Sequence, residues 1–99
     1  MKILTIDIPR DKVVRIKTQT AEYFLLIIGS QIADVHRRSN GQEFCKLLGR
    51  RTMSDELEVG QGLTFFDWDK QPLSVIIPVE IEVLRFGYPI PKQQLQVCL

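Results

Sequence analysis

The chain has 99 residues, of which 44% are hydrophobic and 25% charged, and its formal net charge is +1. That length fits one domain, and the composition excludes a mainly disordered chain. The charge balance argues against a non-specific nucleic-acid binder, which draws its affinity from a basic excess.

No apolar run approaches the ~18 residues a membrane-crossing helix needs. Asp7 interrupts the stretch where a secretory signal would be apolar. These features predict a cytoplasmic chain with no membrane partner. Cys45 and Cys98 are then expected as reduced, poorly reactive thiols. Two cysteines and one histidine fall short of a structural zinc set, so neither a metal nor an organic cofactor is expected.

The dominant period is two, the signature of half-buried strands. In "KILTIDI" (2–8) Leu4, Ile6 and Ile8 share a face. In "KVVRIKTQT" (12–20) Val14, Ile16 and Thr18 do so. With Pro9–Asp11 as the turn between them, the two segments predict a hairpin. "EYFLLIIG" (22–29) is apolar on both faces and β-branched at its end, which predicts a central strand. A bend or bulge is expected at Gly29–Ser30 before "QIADVHRR".

Asn40-Gly41 is a strong short-range hairpin signal, since both residues tolerate positive φ. A two-residue turn there predicts strands of roughly 32–38 and 43–49. It pairs Arg38 with Glu43, Arg37 with Phe44 and His36 with Cys45. "MSDELEVGQG" (53–62) is irregular, with Ser54 a candidate cap for one helical turn. "LTFFDWD" (63–69) reads as a strand and Asp69–Pro72 as a turn. "SVIIPVEIEVLRF" (74–86) is the longest alternation, with Val75, Ile77, Val79, Ile81 and Val83 on one face. Pro78 has no amide to donate and points to an edge position. Residues 87–99 read as an extended arm with "LQVCL" as a possible last strand.

Together these elements predict an all-β single domain spanning 1–99. The expected architecture is a small barrel or compact sandwich of six to seven short, mostly antiparallel strands, with at most one helical turn.

Three groups of residues bear on function. The predicted register sets Asp34, His36 and Cys45 in a row, the parts of a nucleophilic thiol site. The plainer reading is a small buried cysteine beside a strand-edge histidine. Arg37, Arg38, Lys46, Arg50 and Arg51 form a basic cluster, followed by the acidic block Asp55, Glu56, Glu58, Asp67 and Asp69. The cluster suits a phosphate or nucleic-acid patch, a basic-on-acidic contact between protomers, or ordinary protection of a strand edge. Phe65, Phe66 and Trp68 would stack bases if exposed and form core if buried.

The balance favours a non-enzymatic interaction or regulatory domain that self-associates, a dimer first. A nucleic-acid or nucleotide-phosphate binder using the five basic residues is the alternative.

Overall fold

The computed structural model describes residues 2–10, 12–43 and 45–84. Among these residues nine strands run in chain order: β1 Lys2–Leu4, β2 Val13–Lys17, β3 Ala21–Gly29, β4 Ile32–Ser39, β5 Lys46–Thr52, β6 Glu56–Glu58, β7 Leu63–Phe66, β8 Pro72–Ile76 and β9 Glu80–Leu84. The fold is all-β. Among the described residues the only helical element is a 3₁₀ turn at Thr5–Asp7. The possible strand near the carboxy terminus lies outside the described residues, as does Cys98.

Seven strands form one antiparallel sheet in the order β8-β7-β5-β4-β3-β2-β9, and β1 pairs with β6 in a separate two-stranded ladder. The main sheet curls but does not close. Its two edge strands are consecutive in the chain, joined only by residues 77–79. The small ladder and the segments around it cover the inner face, which gives a sandwich-like arrangement.

Pairing fixes which residues share a face. Val14 lies opposite Leu25, Leu25 opposite Val35, and Ile27 opposite Ala33. This inner face packs with Met53, Leu57, Leu63, Phe65 and Ile76 into the larger core, with Ile3 against its rim. On the other face Phe24 lies opposite His36. Phe24, Val13, Cys45 and Leu84 form a second, smaller core with Leu47 beside it. Phe24 and Leu25 point to opposite faces and are both fully buried, so β3 is the doubly covered strand its composition predicts.

The amino-terminal segments do not form the expected hairpin. β1 stops at Leu4 because Thr5 turns inward: it is buried, its hydroxyl donates to the Ser30 carbonyl, and its amide donates to Asp55 at 2.9 Å. Ile6 is left exposed by the 3₁₀ turn. The tight turn lies instead between β2 and β3, at Gln19–Thr20. There Thr18 donates its amide to Ala21 at 2.8 Å, and its hydroxyl accepts the Ala21 amide.

Asn40-Gly41 also turns the chain, but in a longer connection. Gln42 donates to Ser39 at 3.0 Å across the turn, and of the central pair only Gly41 has a positive φ, +84°. The Asn40 amide and side chain instead donate to Thr20 and Gln19. The ladder then begins with Arg37 opposite Lys46 and His36 opposite Leu47, and a bulge follows where Val35 meets Gly49. Gly49, at φ +111°, absorbs that bulge, and β5 continues to Thr52.

The predicted strand 74–86 is two strands at opposite edges of the sheet. Its apolar alternation holds in β9, where Ile81 and Val83 lie opposite the buried Ile16 and Val14, but is inverted over 75–79. Ile76 and Pro78 are buried, while Val75, Ile77 and Val79 face solvent. Pro78 bends the chain so that its carbonyl accepts from Gly60 and the next amide, of Val79, donates to Lys17, both at 2.8 Å. Ser54 caps no helix. Its hydroxyl accepts the Glu56 amide at 3.1 Å and leads into β6. Asp67 ends β7 early, because its carboxylate accepts the amides of Asp69 and Gln71, each at 2.9 Å.

Candidate interaction surface

The basic residues of the β4–β5 region do not converge. Arg37 points to the inner-face side of β4, where it donates to the Tyr23 hydroxyl at 3.2 Å and to Ser39 at 2.7 Å. Arg38 is on the outer face. Its partner is Glu22 on β3, gripped at 3.2 and 2.7 Å, and not Glu43 as the two-residue turn implies. Arg50 pairs with Asp34 across the β4–β5 ladder at 3.0 Å. Arg51 folds back on its own strand and donates to the carbonyls of Arg50 and Leu48. Lys46 is exposed at the start of β5. Four of the five residues are thus committed to intramolecular acceptors, on both faces of the sheet.

Sequence reading missed the group that Arg38 belongs to. Arg15 on β2 donates to Glu22 at 2.5 Å and also reaches Glu80 and Glu82 on β9 at 3.4 and 3.9 Å. A charged row therefore crosses four strands on the outer face. Glu22 sits between two guanidiniums and is only 16% exposed at its side chain. Burial alone would raise its pKa, but the hydrogen bonds from Arg38 and Arg15 outweigh that and hold the carboxyl below its ordinary value. Arg38 also lies over the Phe24 ring, 5.3 Å from its centroid. No local motif announces this row, because it depends on the register of β2, β3 and β4 and on β9, which is remote in sequence.

The predicted cross-strand pairing of His36 with Cys45 is replaced. His36 faces Leu47 across the ladder. Cys45 precedes β5 and is buried in the smaller core. His36 is itself buried, and its Nε2 has no hydrogen-bond partner among the described residues. Burial pushes its pKa below the ordinary histidine value, with Asp34 pulling the other way. The aromatics separate as well. Phe65 is core, while Trp68 is exposed at the turn between β7 and β8.

Among the described residues, no cluster of three or more His, Cys, Asp or Glu side chains could hold a metal ion. No helix there is long and apolar enough to cross a membrane.

Among the described residues an apolar surface lies at the β8 edge. Leu73, Val75, Ile77 and Val79 are 48, 63, 59 and 46% exposed. Leu73 and Val75 share one face of β8, and Ile77 and Val79 extend the apolar surface along the link that follows it. A cleft of about 330 Å³ adjoins them, between the Gln19–Thr20 turn and residues 75–79, with Tyr23 at its side.

The stretch Gln71–Val79 contains no charged residue. The opposite edge, β9, differs. It carries Glu80 and Glu82, with side chains 56 and 57% exposed. Charged side chains on an edge discourage pairing with another chain, and their absence permits it. No family model, no curated protein and no solved structure matches the chain.

Proposed function

We propose that this chain is a non-enzymatic interaction domain of the cytoplasm that works by self-association, without metal or cofactor. The observation that carries the reading is the uncharged, apolar β8 edge. Soluble monomers seldom leave a contiguous apolar row on a strand edge, and such rows mark contact sites. The engaged state of Arg37, Arg38, Arg50 and Arg51 supports it further. A phosphate ligand would have to displace Tyr23, Glu22, Asp34 and backbone carbonyls before it was gripped.

Sedimentation equilibrium over a wide concentration range tests the reading. A concentration-dependent shift from monomer to a defined oligomer is expected. A monomer at the highest concentration, in low and high salt alike, removes the basis for it.

A further inference from the structure

Resting on that reading, we infer that the partner is a second copy of the chain, joined by antiparallel pairing of β8 with β8 about a two-fold axis at Ser74. The two seven-stranded sheets then become one sheet continuous through the axis.

The inference starts from the difference between the two edges. An edge strand presents unpaired amides and carbonyls along its free side. At β9 two glutamates guard that side. At β8 no charge does: only Pro72, at its start, lacks an amide to offer, and Leu73, Val75, Ile77 and Val79 are presented instead.

A neutral edge does not select a charged partner, but it is complementary to itself. A two-fold contact uses the same patch on both copies. The axis falls on Ser74 because that residue is the centre of the five-residue strand, so centring there sets every position opposite a partner, with Pro72 facing Ile76 and contributing a carbonyl but no amide. Leu73 of each copy then faces Val75 of the other, twice, on the outward side. Such directly opposed apolar pairs are the unit of sheet stabilisation. Ser74, exposed and small, faces itself without a clash.

The four exposed side chains supply roughly 300–400 Å² of apolar surface per copy, the scale of a functional patch. That is about half of the ~800 Å² per partner of a standard interface. Pairing of the two backbones and the flanking turns supply the remainder. The contact is therefore apolar and hydrogen-bonded.

The two-fold axis gives a specific test, because only the residue on the axis meets its own copy. Ser74→Lys and Ser74→Asp are made in the full chain, and folding is checked by circular dichroism. Each variant alone should dimerise more than about tenfold more weakly than the wild type, since like charges face each other. An equimolar mixture should recover the dimer as a heterodimer, which misfolded variants could not do.

Full-strength dimers of either variant alone overturn the inference but leave self-association standing. A wild-type chain that never associates overturns both. Raising salt from about 50 to about 500 mM, where exposed ion pairs are screened, should leave the wild-type dimer intact. Dissociation by salt would point to an ionic contact and overturn the edge pairing. Deleting residues 88–99 should also leave the dimer. Its loss in that deletion, with Ser74→Lys still dimeric, would make the carboxy-terminal segment the occupant instead.

Discussion

Replacing Glu22 by glutamine should cost about 2 kcal/mol of folding stability. The substitution keeps the volume and one carbonyl acceptor but removes the charge that two guanidiniums share. Hydrogen bonds to charged groups contribute about 1.5–3 kcal/mol each where they are shielded from water. Exposed pairs contribute about 0–1 kcal/mol. Glu22, Arg15 and Arg38 have side chains 16, 15 and 20% exposed, so each pair is discounted to about 1 kcal/mol, and there are two.

In a domain of this size that loss lowers the melting temperature by about 10 °C. The partners should not contribute equally. Among the described residues Arg38 pairs with no carboxylate but Glu22, whereas Arg15 keeps Glu80 and Glu82 within 3.4 and 3.9 Å. Double-mutant cycles by urea unfolding should therefore give a larger coupling for Glu22–Arg38 than for Glu22–Arg15. A Glu22→Gln loss below about 0.5 kcal/mol, or a larger coupling to Arg15, would refute the reasoning.

The same carboxylate predicts acid sensitivity. Its folded pKa is depressed, so its contribution is complete above the unfolded value of ~4.3 and is lost as pH falls below that. Glu22→Gln should flatten the stability profile there. His36 acts in an earlier window. Its folded pKa is also lowered, chiefly by burial, so stability should begin to fall below the unfolded value of ~6.5. His36→Leu should remove that decline when urea midpoints at pH 7.5 and 5.5 are compared; an unchanged decline would exonerate the imidazole. Gly49→Ala should cost about 1–2 kcal/mol, because φ is +111° and the new Cβ would lie 3.0 Å from the Arg51 guanidinium. Gly29→Ala, with no positive φ and its nearest neighbour at 3.8 Å, is the near-neutral control in the same melt. Phe65→Ala should cost about 3–5 kcal/mol by denaturant titration, whereas Trp68→Ala, at an exposed turn, should stay within about 0.5 kcal/mol.

Alternation made the strands legible but not their orientation. In 74–86 one predicted face splits: Val75, Ile77 and Val79 face out, whereas Ile81 and Val83 turn to the buried Ile16 and Val14. The buried set is held in by Pro78, whose own carbonyl accepts from Gly60 and whose neighbour Val79 donates to Lys17. Period two names two faces and says nothing about which one the rest of the chain covers.

Turn chemistry was read more successfully where it is local. Asn40-Gly41 does reverse the chain, and Gly29 does sit at a register shift. The loop length failed because Asn40 is drawn to Thr20 and Gln19, contacts that no reading of residues 34–46 contains. The arginines were legible as residues and not as a site. Their acceptors, Glu22 and Asp34, sit on neighbouring strands, and the ladder brings each pair together only once the register is known. β1 illustrates a tertiary override: Thr5 leaves the extended path for partners at Ser30 and Asp55.

The link between β8 and β9 has a consequence for how the chain reaches this state. Residues 77–79 send the chain from one edge of the sheet to the other, where Val83 pairs with Val14 and Glu80 with Lys17. More than sixty residues separate those partners, so the ladder that completes the sheet is among the most distant in sequence. Contacts of that kind slow folding, because the loop must close before they contribute. During synthesis the β2–β3 hairpin can form early, but the outer side of β2 stays bare until residues 80–84 leave the ribosome. Arg15 would wait through that interval with Glu22 alone. A nascent chain stalled before residue 80 should therefore be an aggregation hazard through β2, an edge that the finished molecule does not expose.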